Sequence, residues 1–328
     1  MARRASRGES RDRARAGAGR DRARLQDHRG LIPVVALFGP TAAGKSAVAL
    51  ALQERLGGQI VSADSAALYA GIPVLTAAPH YPARLVGVIP LDREVSVGEY
   101  QRLAHEAIDE IVADGGTAIV VGGTGLYFRA ALSVLELPPA PAAGARERWS
   151  AVYDELGPDS AHAVLVERDP AAGARVHPND RRRVIRALEL AEAGGSLVPD
   201  VDRLWSDAVR HPTVLVGLDL ANDELDARIE ARVESMISAG AVTEAQTAWA
   251  GPLSTTARKV LGLEQFATLP VAEAAEAVAL ATRRLARYQR KWLRRLNVAA
   301  TLDGARPPEE NADEIVALAG AGKRLPGR

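Results

Sequence analysis

One stretch, "LIPVVALFGPTAAGKSAVALALQERLGG", constrains the fold of this 328-residue chain more than any other. Its apolar start predicts a buried strand, and its end predicts a helix that stops at glycines. The turn between them, Gly39 to Ser46 ("GPTAAGKS"), satisfies Gly-x-x-x-x-Gly-Lys-Ser at the strand-to-helix position that this motif requires. Backbone N–H groups of such a turn and the helix N-terminus attract anions, so we predict a phosphate-binding loop.

The alternation of strand and helix continues along the chain. "GQIVSA", "TAIVV" and "TVLVGLDL" are typical of further buried strands, and residues 99–114 show the amphipathic pattern of a helix. Repeated strand-helix units favour a parallel sheet with helices on both faces. We therefore predict an α/β fold, similar to that of P-loop nucleoside triphosphatases, with a helical insertion subdomain.

Changes in composition divide the chain into regions. Residues 1–30 are rich in Arg, Ala and Gly and poor in apolar residues, so we expect a disordered tail. The segment "LELPPAPAAG" opens a stretch of charged helical patterns without strand signals, which predicts a helical insertion at 136–211. The flanking ranges 31–135 and 212–305 then form the catalytic core. From 306 to 328 we expect a C-terminal tail with a short helix and a frayed end.

Charge and cysteine content exclude several classes of protein. The formal net charge is zero, so binding of a polyanion must depend on local patches of positive charge. Cysteine is absent, which excludes disulfides, thiolate metal sites and a cysteine nucleophile. No apolar run approaches the length of a membrane span and no signal-type segment follows Met1, so we expect a cytoplasmic protein without membrane contacts.

Asp64 ends the second predicted strand, in "IVSADSAALY". Open α/β sheets bind ligands in the crevice outside the carboxyl ends of their strands, which makes Asp64 a candidate metal ligand or proton acceptor. The alternative is a helix cap formed together with Ser65.

A glycine-rich segment, "VVGGTGLYFRA", follows the third predicted strand. Its glycines allow the backbone to approach a ligand, where the Thr124 hydroxyl would be available, and a plain tight turn explains them equally well. The end of this strand carries no aspartate, although many ATPases have a metal-binding acid there.

Two segments concentrate arginine. In "VHPNDRRRVIRALEL", Asn179 or Asp180 can cap a helix whose first turns carry four arginines. In "TRRLARYQRKWLRRL" the cations fall on one helical face, and the apolar face that contains Leu285, Tyr288, Trp292 and Leu296 is predicted to be core. Each basic face can bind an RNA backbone or pyrophosphate, or can be a solvated surface paired to nearby acids.

Taken together, these segments resemble the tRNA dimethylallyltransferase family. The matching pieces, in family order over roughly residues 31–300, are "GPTAAGKS", "SADSAALYAGIPVLTAAP", "VGGTGLYFRA", "VHPNDRRRVIRALEL" and "ARYQRKWLRR". Members of this family move a dimethylallyl group from its diphosphate to N6 of adenine 37, beside the tRNA anticodon. The resemblance implies the same activity here, with tRNA and dimethylallyl diphosphate as partners, Mg²⁺ as cofactor and a monomeric enzyme.

The resemblance also implies roles for individual residues. Asp64 matches the general base, and Thr124 matches a residue of the channel between the two substrates. The donor diphosphate would lie on the phosphate loop, formed by Gly39, Pro40, Thr41, Ala42, Ala43, Gly44, Lys45 and Ser46, with the Ser46 hydroxyl on Mg²⁺. Matches to tRNA-contacting positions are Asp64, Ser65, Ala66, Ala67, Thr124, Arg146, Arg182, Arg183, Val184, Ile185 and Arg186. The helical insertion would clamp the anticodon stem-loop.

The chain departs from the family pattern in three places. Ala66-Ala67 stands where Met-Gln is usual, Ala78 replaces a lysine, and a His-rich stretch is reduced to His80. These changes leave the donor site intact and affect recognition of the nucleotide. The residues also allow a P-loop small-molecule kinase, a prenyltransferase acting on free adenine nucleotide, or a nucleotide-dependent switch without transfer chemistry.

Overall fold

The computed structural model describes residues 32–137, 142, 144–198, 204–325 and 327. They form two compact units: one contains the described chain up to Val134 and from Asp207 onward, and the other is Leu135–Ser206. The second unit overlaps the predicted insertion at 136–211. The predicted tail at 1–30 lies outside the described residues. No helix within these ranges is long and apolar enough to cross a membrane.

A six-stranded sheet organises the first unit, and all its strand pairs are parallel. The strands are β1 (Val34–Phe38), β2 (Gln59–Ala63), β3 (Ala83–Arg84), β4 (Ala118–Gly122), β5 (Thr213–Asp219) and β6 (Ala300–Asp303). Their order across the sheet is β3-β2-β4-β1-β5-β6. The predicted parallel α/β sheet is confirmed. Strands β3 and β6 are absent from the prediction because they are too short to show a periodic pattern.

Helices connect the strands and build the second unit. In chain order they are α1 (Lys45–Leu56), α2 (Pro73–Thr76), α3 (Val97–Ala113), α4 (Gly125–Leu132), α5 (Ala145–Arg168), α6 (Pro170–Gly173), α7 (Arg181–Glu192), α8 (Asn222–Ser238), α9 (Ala241–Ala250), α10 (Leu263–Thr268), α11 (Val271–Leu293) and α12 (Pro308–Gly320). A 3₁₀ turn (Ala257–Lys259) precedes α10.

The register of the central strands sets the position of the site. Every residue of β1 is buried, as expected for an apolar strand covered on both faces of a parallel sheet. Phe38, the last residue of β1, pairs with Gly122 of β4, and Gly122 pairs in turn with Ala63 of β2. The three strands therefore end level with one another. The turns that follow them meet at one edge of the sheet.

The C-terminal region, predicted as a tail with a short helix at 306–328, contains helix α12. Helix α12 packs on α1, and its Ala312 and Ile315 are fully buried in the cluster that contains Leu52. An ion pair of 2.5 Å between Arg55 and Asp313 adds a contact at the surface. Apolar residues recur on one face of α12, so burial of that face stabilises the helix against the sheet unit. The short helix expected in this region is therefore present and packs on the sheet unit.

The second unit has its own apolar core. Tyr153 and Leu165 of α5 pack with Val184 and Leu188 of α7. Helix α5 contains a kink at Gly157, where φ is 79° and ψ is 169°. The Asp180 side chain accepts a hydrogen bond of 3.1 Å from the backbone N–H of Arg183, so the predicted cap of α7 is confirmed.

Candidate active site

The phosphate loop forms the turn between β1 and α1. Helix α1 begins at Lys45, and the residue before it, Gly44, has φ of 92°, a conformation that glycine adopts without steric cost. A Cβ on Gly39 would overlap the carbonyl oxygen of Leu218 on β5. Backbone shape therefore requires both motif glycines, and the loop lies at the N-terminus of a helix, where anions are stabilised.

Two cations close on this loop from different elements. Lys45 Nζ donates to Pro40 O at 2.7 Å, and Arg232 Nη1 of α8 donates to Thr41 Oγ1 at 3.1 Å. Burial lowers the pKa of Lys45 to about 8, while the nearby Asp64 carboxylate acts in the opposite direction. Burial also lowers the pKa of Arg232, and Asp64 again opposes it. A bound anion would offset the cost of burying two positive charges.

Asp64 lies directly after β2, and its negative charge interacts with both Lys45 and Arg232. Its Oδ1 accepts a hydrogen bond of 2.9 Å from Ala66 N, which closes a turn. The next helix, α2, starts only at Pro73, so Asp64 does not cap a helix. Within the described residues this is the only hydrogen bond of the carboxylate, which leaves Oδ2 able to accept a proton.

Ser65 and Thr124 lie together although they come from different strand ends. The Ser65 backbone N–H donates to Thr124 Oγ1 at 3.4 Å, and the two hydroxyl oxygens are 3.5 Å apart. The structure thus brings the two predicted catalytic residues, Asp64 and Thr124, to adjacent turns. Thr124 precedes α4 without using its side chain to cap that helix, so its hydroxyl stays in the site.

The glycines on either side of the turn after β4 lie too close to their neighbours to carry side chains. A Cβ at Gly122 would overlap Ala63 O, and a Cβ at Gly125 would overlap the ring of Trp292. Any side chain in place of Gly122, an aspartate included, would therefore collide with β2.

Two tyrosines line the site beside Asp64. Tyr100 is buried and its hydroxyl donates to Ser62 O at 3.0 Å, and its ring lies 4.6 Å from that of Tyr127 between centroids. Burial raises the pKa of Tyr127 to about 12, and the negative charge of Asp64 contributes to the same shift. The pKa of Tyr100 is raised for the same main reason. Both hydroxyls therefore stay protonated at neutral pH.

Of the two alanines after Ser65, only one is accessible. Ala66 is half-buried, whereas Ala67 is 7% exposed and its carbonyl accepts from Gly87 N at 2.8 Å. The methyl group of Ala67 lies in the core. Ala67 is thus a packing residue in this structure, and its predicted contact with tRNA stays a prediction.

A cleft of about 420 Å³ lies between α8 and α11 and carries a concentration of positive charge. Its lining residues are Asn222, Leu225, Asp226, Arg283, Ala286, Arg287, Arg290, Lys291 and Arg294. Arg290 donates to Asp219 Oδ1 at 2.7 Å, and Arg283 pairs with Asp226 and Glu230. Two arginines of the predicted basic face are thus paired with acidic side chains. The other cations that line the cleft are Arg287, Lys291 and Arg294.

The apolar face predicted for α11 is partly wrong. Leu285 and Tyr288 are exposed, Tyr288 by 55%, whereas the buried positions include Val278, Ala286 and Leu293. Trp292 lies directly on Gly125.

The arginine-rich segment of the second unit separates into surface and core residues. Arg182 and Arg183 are exposed and form no ion pair within the described residues, while Arg181 pairs with Asp154 at 2.6 Å. Val184 and Ile185, predicted as tRNA contacts, are buried in the core of this unit. They face inward because a helix places consecutive residues on different faces. Their side chains pack in this unit, and the predicted contact of this segment with tRNA stays a prediction.

One buried acid joins two of the predicted arginines. The Glu189 side chain is 0% exposed and accepts from Arg146 at 2.8 Å and from Arg186 at 2.9 Å. The two guanidinium groups are thus held by one carboxylate of α7. They neutralise a charge that would otherwise be costly to bury.

Two residues of the site, Arg232 and Gln289, are absent from the sequence prediction. Arg228 and Arg232 recur one helical turn apart beside apolar Ile229 and Val233, and this spacing is the available signal for a buried arginine. Gln289 has no comparable signal, because its place in the site depends on how α11 packs against the phosphate loop.

Comparison with known proteins agrees with this geometry. The family model for IPP transferase matches residues 67–296. The chain belongs to the IPP transferase family. A tRNA dimethylallyltransferase of Kineococcus radiotolerans is 40% identical over 286 residues, 80% of this chain and 88% of that protein. One from Streptomyces coelicolor is 40% identical over 278 residues, 80% and 87% of the two chains.

Solved structures of IPP transferase relatives share the fold. A tRNA isopentenylpyrophosphate transferase from Bacillus halodurans matches with a TM-score of 0.62 and 28% identity, covering 88% of this chain and 97% of that one. A eukaryotic dimethylallyltransferase, solved acting on tRNA, matches with a TM-score of 0.69 and 21% identity, covering 88% and 79%. The second similarity supports the fold alone.

Proposed function

We propose that this chain transfers a dimethylallyl group from dimethylallyl diphosphate to N6 of adenine 37 in tRNA. Family membership supports the reaction class. The observation that carries the proposal is the placement of Asp64, a carboxylate with an open acceptor oxygen, close to Lys45 and Arg232 at the phosphate loop. This arrangement combines a base with a site for an anionic leaving group.

The donor diphosphate would bind on the phosphate loop, Gly39 to Ser46. Lys45 and Arg232 would contact its oxygens and stabilise the negative charge that develops as the diphosphate leaves. Both side chains are already held in place by the loop, so little reorganisation is needed during the reaction.

The proposed Mg²⁺ site would combine a hydroxyl of the phosphate loop with oxygens of the donor diphosphate. Within the described residues there is no group of three or more acids or histidines that could hold a metal. The Ser46 side chain is exposed at the start of α1 and makes no hydrogen bond there. One hydroxyl oxygen, diphosphate oxygens and water are ligands that suit Mg²⁺, which would supply further neutralisation of the leaving group.

Asp64 would accept the proton from the adenine amino group. N6 forms a bond to the allylic carbon as that carbon's bond to the diphosphate oxygen breaks, and the proton of N6 passes to the carboxylate. Pyrophosphate leaves with the bonding electrons. Because an exocyclic adenine amine is a weak nucleophile, a positioned base contributes strongly to the rate.

The basic surfaces would hold the RNA. The cleft between α8 and α11 and the exposed Arg182 and Arg183 of α7 offer cations to phosphates of an anticodon stem-loop. The target adenosine must leave its stack to reach Asp64, and single-stranded loops permit this at a low energetic cost. We further propose a monomeric enzyme acting in the cytoplasm, where tRNA is available.

A direct test uses purified protein, Mg²⁺ and radiolabelled dimethylallyl diphosphate. A tRNA transcript whose anticodon loop has consecutive adenosines should become labelled, and a matched transcript with guanosine at position 37 should not. Free AMP in place of tRNA is the control for an adenine-nucleotide prenyltransferase. Absence of label in the first transcript would refute the proposal.

A further inference from the structure

Gln289 of α11 is a buried amide at the junction of the phosphate loop and the turn after β4. Its residue is 3% exposed. Its Oε1 accepts a hydrogen bond of 2.7 Å from the backbone N–H of Thr41, in the middle of the loop. Thr41 is also held through its hydroxyl by Arg232. Two helices therefore hold Thr41. Gln289 of α11 accepts from its backbone N–H, and Arg232 of α8 donates to its hydroxyl.

The contact with Thr41 determines the orientation of the amide. Oxygen and nitrogen of a glutamine side chain are assigned from their hydrogen bonds, and a backbone N–H requires an acceptor. Oε1 must therefore face Thr41, and Nε2 must point away from it. A Cβ built on Gly123 would overlap Nε2 and would lie 2.9 Å from Gly39 O. Nε2 thus lies between the start of the loop and the turn that precedes Thr124.

Nε2 has no hydrogen-bond acceptor among the described residues. The fully enclosed side-chain atoms without a partner among the described residues are Arg210 Nη1 and Asn311 Oδ1, so Gln289 Nε2 keeps some accessible surface. Its position between two turns of the proposed active site makes this N–H₂ group available to a ligand that offers an acceptor.

We propose that Gln289 Nε2 donates a hydrogen bond to an oxygen of the donor diphosphate while Oε1 holds Thr41. This assignment rests on the proposed function. A diphosphate oxygen is a charged acceptor next to the loop, whereas the prenyl chain offers no acceptor. Gln289 thereby couples the shape of the loop to the presence of the donor.

The test compares Gln289→Glu with wild-type protein in titrations with inorganic pyrophosphate and with dimethylallyl S-thiolodiphosphate, an unreactive analogue. Glutamate keeps an acceptor for Thr41 but removes the donor and adds a negative charge. We expect affinity for both ligands to fall by at least about 10-fold, as for loss of a hydrogen bond to a charged group. The thermal midpoint should change little.

Gln265→Glu is the matched control. Gln265 Oε1 accepts from the backbone N–H of Gly262 at 3.1 Å, so it makes the same kind of bond on another helix. This variant should bind pyrophosphate like wild type. If wild type binds and Gln289→Glu binds equally well, or if only the KM for tRNA rises, the assignment of Gln289 is overturned. If wild type itself fails to bind pyrophosphate, the proposed function fails with it.

A measurement on wild-type protein covers the case in which Gln289→Glu does not fold. In protein labelled with ¹⁵N-glutamine, addition of pyrophosphate should shift the side-chain amide signal of Gln289 and slow its exchange with solvent. No Gln side-chain signal changing at saturating pyrophosphate would overturn the proposal.

Discussion

The phosphate loop and helix α7 both concentrate positive charge, in different ways. At the loop, Lys45 and Arg232 are held by hydrogen bonds and burial lowers the pKa of each. On α7, Arg182 and Arg183 are exposed and unpaired within the described residues. The first arrangement suits one small anion in a fixed position, and the second suits a polyanion met from solvent.

The comparison also shows how differently sequence maps onto the two regions. In "GPTAAGKS" the backbone conformation requires Gly39 and Gly44, so their roles can be assigned from the sequence motif. In "RRVIR" two exposed arginines are followed by two buried apolar residues, and the packing of α7 decides which side chains are accessible. The contiguous segment predicted to contact tRNA is therefore divided into exposed arginines and a buried pair, Val184 and Ile185.

The largest effect on activity is expected from a substitution beside the phosphate loop, the first of the two regions. Asp64→Asn keeps an acceptor for Ala66 N but removes the base, so kcat should fall by about 100- to 10,000-fold. Titration with the unreactive thiolodiphosphate should show donor binding close to wild type. The exposed Asp114→Asn is the control and should leave kcat unchanged. Unchanged turnover in Asp64→Asn would mean that Asp64 only closes a turn.

The lowered pKa of Lys45 predicts a pH effect specific to the donor site. The free enzyme loses the Lys45 proton as pH rises through about 8, and diphosphate binding requires the charged form. Between about pH 7.5 and pH 9.5, affinity for the thiolodiphosphate should fall roughly 20-fold. Lys45→Arg stays charged and should lose much less. Parallel pH profiles for the two proteins would contradict the lowered pKa.

Substitution of the exposed arginines of α7 should weaken the binding of tRNA and leave the binding of the donor unchanged. Arg182→Ala combined with Arg183→Ala should raise the KM for tRNA by about 10-fold and reduce the slope of log affinity against log salt by about 1 to 2. Arg181→Ala, which removes a cation already paired with Asp154, should have a smaller effect. A changed KM for the donor, with tRNA binding intact, would reverse the division of roles.

Because Val184 and Ile185 are buried in the second unit, substitution of either should lower the stability of that unit. Ile185→Ala should destabilise the second unit by about 2–5 kcal/mol, whereas Arg182→Ala should stay within about 0.5 kcal/mol. Hydrogen exchange of peptides from α5 and α7, followed by mass spectrometry, measures the difference within that unit. If Ile185→Ala kept full protection and lost tRNA affinity, Ile185 would be an RNA contact after all.

Local patterns predicted much of the fold, and tertiary packing decided the rest. The central strands, the loop and the Asp180 cap follow from short-range periodicity and backbone rules, and the structure confirms them. Strands β3 and β6 were too short to detect, and the burial of Ile315 shows that the expected C-terminal helix packs on the sheet unit, which its local pattern alone did not indicate. Arg232 and Gln289 reach the loop from helices far along the chain, so no local pattern identifies their partners.

The most direct test of the central claim identifies the atom that receives the prenyl group. Wild-type protein, Mg²⁺, ¹³C-labelled dimethylallyl diphosphate and a tRNA with adenosine at position 37 are incubated, and the RNA is digested to nucleosides for NMR and mass spectrometry. The account predicts that all label is recovered as N6-dimethylallyladenosine from position 37. Label on a ring nitrogen, at another position or on no nucleoside would contradict it.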